Sequence, residues 1–259
     1  MDLGLNERHA IVCASSRGLG RACAEALARE GCHVVINGRD EASLEAAAED
    51  IRRAFGTQVQ AVAADLNTAE GRARLLAACD EPDILVNNNA GPPPGQFKDW
   101  GAEDWQSALD ANLLAPAFMI QGVIEGMKER RFGRIVNITS AMVKSPHAAM
   151  GLSTAARSGL TALCKGISNE AVAHNVTINN LLPERFDTDR QKFMARVLME
   201  RQGFTLEQAR EAITSTINAG RFGQPEEFGD ACAYLCSAQA GFISGQNLQL
   251  DGGSYAGLI

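Results

Sequence analysis

The first chemistry this chain offers is phosphate binding. Residues 9–20 read His-Ala-Ile-Val-Cys-Ala-Ser-Ser-Arg-Gly-Leu-Gly, a short apolar strand that breaks into small residues and then opens a helix. Leu19, Ala22, Cys23, Ala26 and Leu27 recur at helical spacing, and Gly31 ends the stripe. The first turn of such a helix leaves backbone N–H groups without partners and carries the positive end of the helix dipole. Gly18 and Gly20 would let a pyrophosphate approach that backbone closely. Small residues in a tight turn also serve plain packing, so the motif needs its surroundings. Other chemistries lack their spacing. Ser140 and Ser153 stand outside any Gly-x-Ser-x-Gly elbow and have no obvious His-Asp pair. His9, His33 and His174 occur singly, so no metal site is expected.

The elements that must position this turn alternate along the chain. Apolar strands are predicted at 33–37, 59–64, 83–87, 133–139, 176–182 and 247–250, with helical patterns at 41–55, 68–79, 103–130, 153–173 and 225–237. Alternation of this kind predicts an α/β fold, a single-domain doubly wound parallel sheet of Rossmann type over residues 1–259, with ligands at the carboxyl ends of the strands. Residues 184–222 are too long and too helical for a simple connection. Phe193, Met194, Val197 and Leu198 share a helical face opposite Arg190, Arg196, Glu200 and Arg201, which predicts a helical lid over a substrate cavity or, alternatively, a helical pair closing the core edge.

Composition narrows the partners. At 259 residues with 46% hydrophobic and 21% charged content, the chain can bury one large core. A net charge of -7 speaks against a nucleic-acid partner, which would call for a basic face. Seven scattered cysteines, odd in number, read as reduced core thiols. No apolar run is seen to approach the ~18 residues of a membrane helix, and no leader is recognised, so a cytoplasmic protein without membrane contact is expected.

Four segments now coincide: Cys13-Ala-Ser-Ser-Arg-Gly-Leu-Gly20, Asp65-Leu66, Ile84-Leu-Val-Asn-Asn-Asn-Ala-Gly91 and Asp251-Gly-Gly253. Together they resemble the short-chain dehydrogenase/reductase family across nearly the whole chain, closest to its 3-oxoacyl carrier-protein reductase branch. The resemblance implies that Ala14, Ser16, Arg17, Gly18, Leu19 and Gly20 wrap a cofactor pyrophosphate. It places Asp65 and Leu66 at the adenine, and has Asn89, Ala90 and Gly91 back the cofactor. The family's Thr-Gly opening is Cys13-Ala14 here, a change expected to cost little room, and the asparagine run is one residue longer. At the end of the second strand, an acidic residue would favour NAD; the sequence is Ile36-Asn-Gly-Arg39 instead. Arg39 and Arg17 converging on a 2′-phosphate predict NADP(H) as cofactor.

The family's catalytic set is Asn, Ser, Tyr and Lys. Asn112 and Ser140 match the first two, but the Tyr-x-x-x-Lys position reads Ser153-Thr-Ala-Ala-Arg157. The only tyrosines, Tyr234 and Tyr255, lie far along the chain from this segment. Arg157 keeps the ribose-binding half of the lysine role and cannot shuttle a proton. Lys144 and His147 border the substrate in the family, and His147 is the better replacement acid, with an exposed loop residue as the alternative. Pro183 and Thr188 are assigned to the nicotinamide carboxamide. Glu184, where the family has glycine, is a further acid or a partner of Arg185. The implied activity is an NADP(H)-dependent oxidoreductase acting on a carbonyl/alcohol pair of a small-molecule substrate. The alternative is an NADP-binding protein of the same fold without hydride transfer, serving as sensor, scaffold or non-redox enzyme. Helices 103–130 and 153–173 are expected to pair with their copies in a homo-oligomer, dimer or homotetramer.

Overall fold

In the computed structural model, which describes residues 1–258, the strands β1 (His9–Val12), β2 (His33–Gly38), β3 (Val59–Ala63), β4 (Ile84–Asn87), β5 (Gly133–Ile138), β6 (Val176–Pro183) and β7 (Asn247–Leu250) form one sheet. All pairings are parallel, in the order β3-β2-β1-β4-β5-β6-β7. Parallel strands are covered on both faces, which is why apolar residues dominate β1, β2 and β4. One face carries α1 (Gly18–Arg29), α2 (Glu41–Phe55) and α9 (Pro225–Cys236), with Leu27, Leu44, Ile51 and Phe228 in its core. The other carries α3 (Ala69–Leu76), α5 (Ala115–Glu129) and α6 (Gly151–Ala171), with Leu75, Met119, Met127 and Leu160 buried. β1 pairs with β2 on one side and β4 on the other, so the strand order reverses there and a crevice opens at the carboxyl ends.

A ladder of asparagines fixes the register of the central strands. Asn87 Nδ2 donates to Asn137 Oδ1 at 2.9 Å, Asn137 Nδ2 to Asn180 Oδ1 at 2.9 Å, and Asn180 Nδ2 to Asn247 Oδ1 at 2.8 Å. The four residues are paired across β4, β5, β6 and β7. A slip of one residue in any strand would leave buried amides unpaired, so the ladder penalises every other register.

The helix expected over 103–130 is two helices, α4 (Ala102–Leu109) and α5, joined by a wide turn at Asp110–Leu114. Pro116 lacks an N–H and would press on the carbonyl four residues earlier, so the backbone widens, and the Ala115 N–H reaches the Asp110 carbonyl. This stretch also corrects the membrane reading: Ala102–Glu129 contains an 18-residue window of mean hydropathy 1.3, long and apolar enough to cross a membrane by composition alone. Met119, Ile120, Val123 and Met127 bury themselves against the sheet instead. All seven cysteines are buried and free, and burial pushes the Cys13 thiol up to about 12.

Within 184–222 lie α7 (Asp189–Gln202) and α8 (Leu206–Thr214), which share a small core of Ala195, Ala209, Ile213, Ile217 and Phe222. Met194 and Leu198 pack on this core, whereas Phe193 is half exposed. The apolar face therefore divides between internal packing and solvent.

Candidate active site

The turn after β1 is held by its own Ser15, by Asn37 of β2 and by Asn88 just after β4. Ser15 Oγ donates to Val12 O at 2.6 Å and accepts from Asn37 N, while Asn37 Oδ1 accepts from Ala14 N and its Nδ2 bonds Val62 O and Ala64 O. Asn88 Nδ2 donates to Ala14 O at 3.1 Å. These bonds force Ala14 to φ +44°, a left-handed conformation that favours glycine. Ala14 is expected to cost little room; what the structure adds is backbone strain. Ala14→Gly is expected to stabilise the fold by about 0.5–1 kcal/mol in urea melts, and a destabilised variant would show that the turn carries no strain. A Cβ on Gly20 would stand 2.4 Å from Ala14 O, so glycine is required there for close approach. No side chain caps the start of α1, which leaves its first N–H groups facing the crevice.

A cleft of about 470 Å³ continues from this turn, lined by Ala14, Ser16, Arg17, Arg39, Asp65, Leu66, Asn89 and Ala90. Arg17 and Arg39 make no ion pair or side-chain hydrogen bond among the described residues, while Asp40 beside them is committed to Ser43 N at the start of α2. Its carboxyl is held below the usual range by Ser43, first through that residue's hydroxyl and then through its N–H. The longer asparagine run is accommodated by division of labour. Asn87 joins the ladder, and Asn88 ties down Ala14. Asn89 spans the cleft from Asn67, 3.0 Å from its amide, to Arg157 on its carbonyl.

Arg157 is 9% exposed and lies in the second turn of α6. Its Nη1 donates to Ile138 O at 2.6 Å, its Nε to Ser153 Oγ at 3.2 Å, and its Nη2 to Asn89 O at 3.5 Å. Every acceptor is neutral. Burial, reinforced by the charge of Arg190, pushes its pKa down to about 10, so at neutral pH it stays charged at a cost of roughly 3 kcal/mol. Gly91 stands against this pair: a Cβ there would meet Arg157 Nη2 at 3.5 Å and Ser153 Oγ at 3.8 Å. Asn112, in the wide turn before α5, donates to Ala90 O at 3.2 Å and keeps a buried Oδ1 without a partner. The structure thus brings Asn112, Ser153, Arg157 and Gly91 together. Ser140, two residues beyond Ile138, accepts from Met142 N at 3.2 Å, leaving its hydroxyl proton free to donate.

Other expected groups lie further out. His147 is exposed, and its Nδ1 accepts from Ala149 N to cap the short turn before α6. Glu184 and Arg185 form a loose pair at 3.7 Å and line a separate cavity with Phe186, Leu250 and Asp251. Thr188 starts α7 and bonds Phe186 O with its hydroxyl, and Pro183 ends β6. Sequence reasoning missed three features. Trp100 packs so closely on Gly95 and Gly151 that a Cβ at either would clash, so the loop after β4 rests on the start of α6. Tyr255, remote in sequence, stands with its ring 5.4 Å from Lys144 Nζ. Gln191, in the first turn of α7 and 8% exposed, keeps an Oε1 without a partner among the described residues. The proline run 92–94 was the one local signal for the Trp100 loop. A cavity of about 430 Å³ lined by His9, His33, Cys79 and Asp80 opens at the opposite, amino end of the sheet, away from these groups.

The open helix start, the glycine cradle, the two unpaired arginines and the orphaned Asn112 acceptor fit a dinucleotide laid along the crevice. Sheet and crevice together define a dinucleotide-binding α/β fold. The chain belongs to the short-chain dehydrogenase/reductase family: residues 13–255 match the family model described as enoyl-(acyl carrier protein) reductase. It is 32% identical over 255 residues to the NADPH-dependent reductase BacG of Bacillus subtilis (strain 168), covering 96% of this chain and 98% of that one. It is 30% identical over 259 residues to the 3-oxoacyl-[acyl-carrier-protein] reductase FabG of Aquifex aeolicus (strain VF5), covering 98% and 100%. The structure of L-sorbose reductase from Gluconobacter frateurii, complexed with NADPH and L-sorbose, matches with a TM-score of 0.94 at 27% identity, covering 100% of both chains.

Proposed function

We propose that this protein is an NADP(H)-dependent oxidoreductase that reduces a carbonyl group with an atypical proton donor. Its relatives named as NADPH-dependent or NADPH-bound reductases support the cofactor and the reaction class. Arg17 and Arg39 hold the 2′-phosphate, and Arg17→Ala with Arg39→Ala is expected to cut the preference for NADPH over NADH by roughly 10²-fold in a fluorescence titration, an unchanged ratio refuting the assignment. Gly18–Gly20 cradle the pyrophosphate, Asp65 and Leu66 border the adenine, and Pro183 and Thr188 meet the carboxamide. The cofactor, when bound, supplies the hydride.

One observation carries the reading of the catalytic end. Arg157 Nε already donates to Ser153 Oγ, so the Ser153 hydroxyl proton points away from it and is available to a substrate oxygen. The guanidinium faces the charge that develops on that oxygen as hydride arrives, and holds it without giving up a proton. Ser140 supplies a second hydroxyl donor, and water returns the proton. The pair Ser153–Arg157 thus does with a short alcohol and a fixed cation what the family does with a phenol and a lysine. The test is single-turnover deuteride transfer: NADPH labelled at C4, incubated with mixed aldehydes and ketones, should leave deuterium on alcohol carbon by mass spectrometry. A protein that binds NADPH tightly and transfers no label to any carbonyl, even at stoichiometric concentration, would be a binding protein of this fold. Exposed Leu114 and Phe118 by α5 and Leu163 on α6 supply apolar surface for pairing with a second copy.

A further inference from the structure

The Asp251-Gly-Gly253 turn after β7 ties together two segments distant in sequence, the end of the lid region and the loop that begins at Ser140. Asp251 is 9% exposed, and its carboxylate accepts from Gly253 N at 2.9 Å, Gln249 Nε2 at 2.9 Å and Tyr255 N at 2.7 Å. Gly252 and Gly253 take φ +65° and +77°, a left-handed conformation that glycine adopts without strain. On the lid side, Ala219 N donates to Gly252 O at 3.0 Å and Asn218 Nδ2 to Gly253 O at 2.6 Å. A Cβ on Gly252 would stand 2.8 Å from Ile217 Cγ2, and Ile217 belongs to the small core that also holds Ala195 of α7 and Ile213 of α8. On the other side, the Tyr255 ring has its centroid 5.4 Å from Lys144 Nζ, within the range of a cation–π contact. Gly257 then passes so close to that ring that a Cβ there would clash with Tyr255 Oη.

Lys144 closes the short 3₁₀ turn Ala141–Val143 that Ser140 opens. Ser140 Oγ caps the start by accepting from Met142 N at 3.2 Å, Ser140 O accepts from Val143 N at 3.0 Å, and Ala141 O accepts from Lys144 N and Ser145 N, each at 3.0 Å. A single turn of this kind is marginal alone, because a few hydrogen bonds must offset the entropy of ordering its backbone. A hold on its last residue steadies the first. Building on the reading of Ser140 as a hydroxyl donor to the substrate oxygen, we infer that Tyr255 is a positioning residue. Its ring clasps Lys144, keeps the turn wound and so holds the Ser140 hydroxyl in one orientation. The contact uses the aromatic ring and not the phenol oxygen. The Asp251 turn that presents the ring also fastens the end of the lid region, so lid and Ser140 share one support.

The test follows backbone hydrogen exchange over residues 141–150 of the full-length protein, beside single-turnover deuteride transfer from labelled NADPH to mixed aldehydes and ketones. Tyr255→Leu should raise exchange in that loop by roughly two- to fivefold, the change expected for one partly exposed cation–π contact, and slow label transfer by a similar factor with NADPH affinity unchanged. Tyr255→Phe keeps the ring and should restore both to wild type. Lys144→Gln should match Tyr255→Leu, and the double variant should be no worse than either, as for one shared contact. Loop exchange unchanged in Tyr255→Leu, Tyr255→Phe as deficient as Tyr255→Leu, or additive losses in the double variant overturns the proposal. Exchange raised throughout the chain in both Tyr255→Leu and Lys144→Gln also overturns it, since the two residues would then serve the whole fold. The two readouts separate the claims. A loop that responds as expected in a protein that transfers no label defeats the reductase reading alone, and label transfer with an unresponsive loop defeats the clasp alone.

Discussion

Arg157→Met is expected to lower kcat/KM by roughly 10²–10³-fold, most of it in kcat, as for the loss of one preorganised donor at a developing oxyanion. Methionine fills the volume but removes the bond to Ser153 and the charge proposed to face the substrate oxygen. Ser153→Ala should fall by a comparable factor, and the double variant should be little worse than either single one, because the two act as a unit. A structural role for Arg157 would instead lower the melting temperature and leave the kcat of the folded fraction intact. The pH profile gives a second readout. Arg157 is charged below its depressed pKa of about 10, so activity that depends on it persists through neutral pH and is lost as pH rises through that value. In Arg157→Met this alkaline limb should disappear.

Asn137→Leu is expected to cost roughly 2–6 kcal/mol of stability, the largest effect foreseen outside the site. Leucine is of similar size, so the loss is not one of volume. The substitution leaves Asn87 Nδ2 without its main acceptor and Asn180 Oδ1 without its donor, both in the middle of the sheet. Chemical denaturation followed by circular dichroism would show the shift, and a near-neutral result would mean that the ladder contributes nothing to the native register. The effect reaches function through Asn87, since the loop after β4 carries Asn88, Asn89 and Gly91 to the turn and to Arg157.

Much of this arrangement was legible in the sequence because its signals are local. The Cys13–Gly20 turn and the strand spacing can both be read from residues close together in the chain. The parallel sheet and the family followed from them, and the boundaries of α2 and β7 agree with the periodicity. What could not be read depends on pairings between distant segments. Four asparagines in four strands look like isolated polar residues until register aligns them. Ala14 looks like a small substitute for glycine until the bonds from Asn37 and Asn88 show the backbone it must adopt. Tyr255 and Lys144 meet only because the segment after β7 folds back over the loop after β5. The break at Asp110–Leu114 had a local cue in Pro116, but a continuous apolar stripe masked it.

The account rests on a crevice shaped and charged for NADP(H), and a titration of the purified protein with NADPH and separately with NADH, followed by nicotinamide fluorescence, tests this most directly. NADPH binding at least tenfold tighter than NADH is predicted from two arginines without competing partners. Equal affinity for the two nucleotides, or binding of neither, would contradict it.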